Sequence, residues 1–248
     1  MKTYWTGKRF GIAVWFALLA ALLVEVAYPV TYRTLRIFVV LASLALWLVA
    51  VVLMRRRKVV AVILLLLGLS VAIFVSLPGR VPDVAELRAA YVKCLQRYEG
   101  TRYVWGGENR RGMDCSGLVR EALIDADVLT GLRTLNSQPI RAAFELWWFD
   151  CSAAALRDEY RTFTCRRFTA PSINSLTNRE LAVGDLAVTV DGLHVLAFVG
   201  SNTWMEADPD VLKVIHVVCP SDNPWFHVPV QVVRWRQLEA ASRSARLR

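Results

Sequence analysis

The sequence predicts an α+β domain of about 170 residues preceded by three membrane-spanning helices. Two contrasts carry that reading. The chain of 248 residues is 55% hydrophobic with a net charge of +9, and both excesses sit at one end. Residues 1–78 hold nine Lys/Arg and one acid, Glu25, for a net of +8; residues 79–248 hold 21 Lys/Arg against 20 Asp/Glu, for a net of +1. The second contrast lies within residues 79–248, where helical spacing of apolar residues gives way to strand alternation near Leu181.

Three apolar runs, at about 10–30, 37–54 and 59–77, have the length a helix needs to cross a bilayer. The segments 31–36 and 55–58 join them so tightly that only an up-down-up bundle fits. The first run is long for a signal peptide and has no clear A-x-A site. Glu25 lies near the end of its span beside Pro29 and lacks an intramembrane partner, so it reads as structural. Trp5, Trp15, Tyr28 and Tyr32 read as interface anchors, whereas Trp47 lies too deep in its run. Lys2, Lys8, Arg9, Arg55, Arg56, Arg57 and Lys58 fall on one side of the membrane and Arg33, Arg36 and Arg80 on the other. This bias puts the N-terminus in the cytoplasm and everything after Leu77 outside. The positive charge thus reads as topology-setting, and no nucleic-acid partner is expected.

In 79–248, a breaker-rich linker, Pro78–Pro82, leads to Asp83 as the N-cap of a helix running to about Arg97. A Gly-rich aromatic loop then runs into Asp114-Cys115-Ser116-Gly117 and a helix through Leu123. Cys115 therefore sits at a helix start, where unpaired N–H groups and the dipole favour a thiolate. Residues 128–180 are the least readable, with helical signals at 140–149 and 153–160; the aromatics Phe144, Trp147, Trp148 and Phe149 are expected to pack over the core. Strands follow at 186–190, 194–199, 203–207, 214–219 and 228–235, read as an antiparallel meander. The tail SRSARLR reads as solvated.

A cysteine nucleophile needs a histidine base and a group that orients it. Of His194, His216 and His227, His194 is favoured because it opens a central strand after a tight turn. Hairpin arithmetic sets position 208 opposite 194 with 206 diagonal to it, so Asp208 and Glu206 are both candidates for the orienting acid.

Tyr103-Val104-Trp105-Gly106-Gly107 and Asp114-Cys115-Ser116-Gly117-Leu118-Val119, then Gly184-Asp185-Leu186 and His194-Val195, together resemble the signature of the NlpC family of cell-wall cysteine peptidases. The likeness covers about residues 83–235. It implies a papain-like core and cleavage of amide bonds in peptidoglycan stem peptides at a bacterial inner membrane, with the catalytic domain periplasmic. Carried over by position, Cys115 is the nucleophile, His194 the base and Glu206 the third residue, where the family more often has His, Asn or Gln. Tyr103 would help hold the oxyanion, and Asp114 and Ser116 would flank the substrate. The segment 128–180 departs from the family pattern and reads as a cleft-shaping insertion. No metal or other cofactor is implied, and the five cysteines show no zinc-ligand spacing. In an oxidising compartment Cys151 and Cys165 would be the preferred disulfide, against the alternative of free thiols. A papain-like amidase or acyltransferase acting on lipid or protein, and an inactive wall-binding module, are the competing readings.

Overall fold

A computed structural model describes residues 2–176 and 180–239, with the side chains of residues 2–8 left aside. The basic tail at 242–248 lies outside the described residues. The chain divides into two compact units, Met1–Pro78 and Gly79–Arg248.

The first unit is three helices, α1 (Lys2–Ala27), α2 (Arg33–Met54) and α3 (Lys58–Ser76). Each contains a stretch long and apolar enough to cross a membrane, Arg9–Ala27, Arg33–Met54 and Lys58–Ser76. The first helix stops three residues before the expected end, because Tyr28 precedes Pro29 and proline disfavours helical backbone at the residue before it. The second begins earlier than expected, so Arg33 and Arg36 lie inside it, and Arg36 is buried. Trp15 is half-buried, and its indole N–H donates to the Leu46 carbonyl of α2 at 3.1 Å. Trp47 does the same toward Leu64 of α3 at 3.2 Å. Gly68 leaves the room for that ring, since a Cβ there would lie 2.5 Å from it.

The second unit opens with α4 (Val84–Arg97), capped as expected by the Asp83 carboxylate, which accepts from the Ala85 and Glu86 amides. A two-stranded ribbon, β1 (Glu108–Asn109) and β2 (Gly112–Met113), precedes α5 (Cys115–Arg133). Then come α6 (Ser137–Trp148), α7 (Ala153–Arg157) and β3 (Thr164–Ala170). The remaining strands are β4 (Asp185–Thr189), β5 (Val195–Gly200), β6 (Thr203–Asp208), β7 (Lys213–Val218) and β8 (Val230–Trp235). The order is thus helices first and antiparallel sheet second.

Two features depart from the expected meander. The six-stranded sheet runs β3-β8-β4-β5-β6-β7, so β8 returns to pair with β4 instead of extending the edge beyond β7. Its residues are buried on both faces, as a central strand requires. The other departure is β3, which has no counterpart among the expected strands. Its sequence TCRRFTA alternates only weakly, and its two arginines suit an edge strand. Of the aromatic segment on α6, Leu146 is the core residue; Phe144 is exposed and its ring packs on Trp147 and Trp148.

The main core lies between one face of the sheet and the helices, with Leu87, Tyr91, Leu118, Leu123, Leu186, Val195 and Met205 among its buried residues. A smaller cluster including Ile173, Phe198, Trp204 and Phe226 covers the other face. All five cysteines are free thiols, so the expected Cys151–Cys165 bridge is not formed. Cys165 instead places its sulfur 3.6 Å from the Arg234 carbonyl in the β3–β8 ladder.

One core residue breaks the apolar pattern. Asp127 of α5 is fully buried, and among the described residues Gln237 is the one polar side chain that bears on its carboxyl. Burial pushes its pKa up from 3.8 to about 8, with Gln237 pulling weakly the other way. A raised acid costs stability wherever the unfolded chain is ionised and the folded one is not. The cost is absent below about pH 3.8, grows as pH rises and is complete above about pH 8. Asp127→Asn is therefore expected to raise the melting temperature of the detergent-solubilised chain by roughly 5 °C or more at pH 8 and by almost nothing at pH 4. Equal shifts at the two pH values, read by near-ultraviolet circular dichroism, would contradict this account.

Candidate active site

The site is built where α5 begins beneath the turn between β4 and β5. Asp114 fixes the helix start. One carboxylate oxygen accepts from the Gly117 amide at 2.6 Å and the Ser116 hydroxyl at 3.0 Å, and the other from the Gly106 amide at 2.9 Å. One side chain therefore caps the helix and ties the Gly-rich loop to it. Its oxygens are occupied by the protein's own donors, and Ser116 is turned to that carboxylate.

The two motif glycines on either side allow the close approach. A Cβ on Gly117 would sit 2.1 Å from the Gly107 carbonyl oxygen, and one on Gly107 would meet Gly112 at 2.5 Å. Neither neighbour is a flexible side chain that could swing away. Arg120, one turn further along α5, is buried and pairs with Glu108 of β1 and with Asp150. It anchors the ribbon and the segment after α6 to the helix that carries Cys115.

Cys115 is 7% exposed, with its sulfur 3.9 Å from the Leu193 carbonyl. His194 follows a turn held by Thr189 and Asp191. The Thr189 hydroxyl accepts from the His194 amide at 3.0 Å, the Thr189 amide donates to the His194 carbonyl, and Asp191 accepts from the Leu193 amide. Gly192 has φ +76° there, which a glycine adopts without strain.

The β5–β6 register pairs Ala197 with Met205 and Phe198 with Trp204. Extended by three residues, it sets 194 opposite 208. The contact nevertheless goes to the diagonal residue: His194 Nε2 lies 2.7 Å from Glu206 Oε2. Glu206 is fully buried. Burial alone would lower the His194 pKa, but hydrogen bonds and charge from Cys115 and Glu206 together outweigh it and raise the imidazole from 6.5 to about 9. With Nε2 on Glu206, Nδ1 is the nitrogen left for the thiol.

Tyr103 packs against the core from the loop before β1. Its phenol is pushed above the usual range by burial first, then by the nearby charge of Cys115 and Asp114. It remains an O–H donor within electrostatic range of Cys115. His216 and His227 stand elsewhere, His216 bonded to Glu99 and His227 facing Asn174. No group of His, Cys, Asp and Glu that could hold a metal occurs among the described residues.

Two neighbours were not apparent from the sequence. The Trp225 ring stacks on His194 with centroids 4.2 Å apart and planes 20° from parallel. Asn223 donates to both Glu206 and Asp208. Both lie in the loop before β8, about thirty residues from His194, and only the folded sheet brings them near.

A buried cysteine at the start of a helix thus meets a histidine and a carboxylate from the inner strands β5 and β6 of an antiparallel sheet. The chain belongs to the NlpC/P60 family, whose model matches residues 100–234. Members of that family are typically cysteine peptidases and peptidoglycan hydrolases. Among solved structures, the chain is similar to NlpC1 from Trichomonas vaginalis, at 16% identity and a TM-score of 0.40, covering 63% of this chain and 46% of that one. It is also similar to the peptidoglycan hydrolase RipB from Mycobacterium tuberculosis, at 19% identity and a TM-score of 0.39, covering 63% and 67% respectively. The NlpC/p60 domain of the peptidoglycan hydrolase SagA matches at 22% identity and a TM-score of 0.33, over 59% of this chain and 97% of that one. The chain spans about half the length of NlpC1 and of a second similar Trichomonas vaginalis protein, NlpC2. No curated protein matches.

The Gly107–Gly117 contact generates a test. Gly117→Ala overpacks a backbone contact and is expected to destabilise the domain by about 1–3 kcal/mol. A urea unfolding midpoint unchanged from the unsubstituted chain would show that the loop yields freely.

Proposed function

We propose that the chain is a membrane-anchored cysteine peptidase that hydrolyses amide bonds in peptidoglycan stem peptides. The observation that carries this is the buried His194–Glu206 contact at 2.7 Å beside a cysteine at a helix start, within a match to the NlpC/P60 family. In this reading Cys115 attacks the amide carbonyl through its sulfur. His194, an imidazolium supported by Glu206, gives its Nδ1 proton to the leaving amine. Water then attacks the thioester, His194 takes its proton, and the acid product leaves with the Cys115 sulfur restored. The Tyr103 hydroxyl and the Cys115 amide stand as donors to the oxyanion. Asp114 and Ser116 act by holding the loop and helix start in place.

The three apolar helices would tether the unit to a bacterial inner membrane. The Lys/Arg bias places the N-terminus in the cytoplasm and the peptidase unit outside it.

Incubation of the full chain in detergent with purified muropeptides is expected to release a defined stem-peptide fragment, and Cys115→Ala to abolish it. An unsubstituted chain that cleaves none would sink the substrate assignment. Reporter fusions after Arg248 that read as cytoplasmic would overturn the orientation. Because the leaving-group proton resides on His194, kcat/KM is expected to fall as pH rises through about 9, where the imidazolium is lost. A profile flat from pH 8 to 10 would contradict His194 as the acid.

A further inference from the structure

Glu206 and Asp208 lie two residues apart on one face of β6, both buried. Two buried carboxylates so close repel, and one of them would ordinarily keep a proton. Glu206 carries the greater demand, because burial, then Asp208 and Asp210, push its pKa up, with His194 opposing. A protonated Glu206 would no longer support an imidazolium at His194.

The side chain that bears on this is Asn223. Its Nδ2 lies 3.0 Å from Glu206 Oε1 and 2.9 Å from Asp208 Oδ2, one hydrogen for each acid. The amide cannot be turned round, because its Oδ1 accepts from the Trp225 backbone N–H at 2.9 Å, a group that only donates. Asp208 Oδ1 is likewise fixed as an acceptor by the Asp210 and Val211 amides at 2.7 and 3.0 Å. Three of the four carboxylate oxygens therefore face donors. The fourth, Glu206 Oε2, faces His194 Nε2 at 2.7 Å and is the oxygen placed to accept a ring N–H. The same bond to the Trp225 amide fixes the residue whose indole stacks on the His194 ring, a face suited to a cation. Cys115 from α5 acts on His194, Asp210 adds a second negative charge near Glu206, and on β7 Ile215 stands opposite Glu206 and the exposed Lys213 opposite Asp208.

We propose that Asn223 is a positioning residue that keeps Glu206 ionised beside Asp208 and thereby holds His194 as an imidazolium facing Cys115. The proposal rests on Cys115, His194 and Glu206 acting together, as read above, but needs nothing about the substrate.

It is tested on the full chain in detergent by iodoacetamide alkylation, following the Cys115 peptide by mass spectrometry from pH 4 to 10. Asn223→Ala is expected to move the midpoint of the alkylation rate up by about one pH unit, so that at any pH below both midpoints the rate falls about tenfold. Asn223→Ser, which keeps one donor, is expected to move it about half as far and serves where the alanine variant does not fold. Adding Asp208→Asn to Asn223→Ala removes the competing charge and is expected to bring the midpoint back toward that of the unsubstituted chain. A purely structural asparagine would lower stability and leave the midpoint in place. Profiles of Asn223→Ala or Asn223→Ser that overlay the unsubstituted one, or a double variant no closer to it than the single, would overturn the proposal. Since alkylation consumes no peptidoglycan, a chain that cleaves no muropeptide still answers this question, and muropeptide cleavage with an unmoved midpoint would reject the Asn223 role alone.

Discussion

The seating of the first turn of α5 is the constraint on which the rest of the second unit hangs. Asp114 makes three hydrogen bonds there, to its own helix, to Ser116 and to the loop at Gly106. The backbone approach at Gly107 and Gly117 lets the loop close over the helix end without a side chain between them. Tyr103 leads into that loop, and Arg120 holds the ribbon beyond it. The helix start is therefore fixed from two sides before the sheet contributes anything.

The sheet contributes the histidine and the acid, and the way they meet shows how a strand register limits without deciding. Positions 194 and 208 face one another, yet the longer glutamate reaches the ring from the diagonal position. Asp208, one methylene shorter, is occupied by the backbone amides of the turn that follows it. Asn223 then joins the two acids into one network. The polar part of the site is accordingly a chain of partners running from α5 through β5 and β6 to the loop before β8.

How much of this could be read in advance depends on the range of the interactions involved. The Asp83 cap, the α4 helix and the β4–β7 meander are local, and side-chain type and spacing reveal them. Cys115 and His194 were legible because short motifs place each at the end of an element. Between Glu206 and Asp208 hairpin arithmetic could not choose, since it says nothing of side-chain length or competing donors, and only the family resemblance favoured Glu206. The return of β8 between β3 and β4, and with it Asn223 and Trp225, is a non-local pairing that no window of sequence contains. The strand β3 was missed because an edge strand with two arginines lacks the alternation that marks a buried one, and the helical signal at 153–160 shrank to Ala153–Arg157.

The indole contacts in the first unit have a mechanical consequence. Trp15 and Trp47 each donate to a carbonyl on the next helix, and Gly68 gives Trp47 a notch to sit in. In a hydrocarbon surrounding, water does not compete for such bonds, so each fixes the height of one helix against its neighbour. Sliding any one of the three by a turn breaks an indole bond and drives a ring out of its place. The three helices are thus keyed to one another like a lock, and sliding or turning one of them engages the other two.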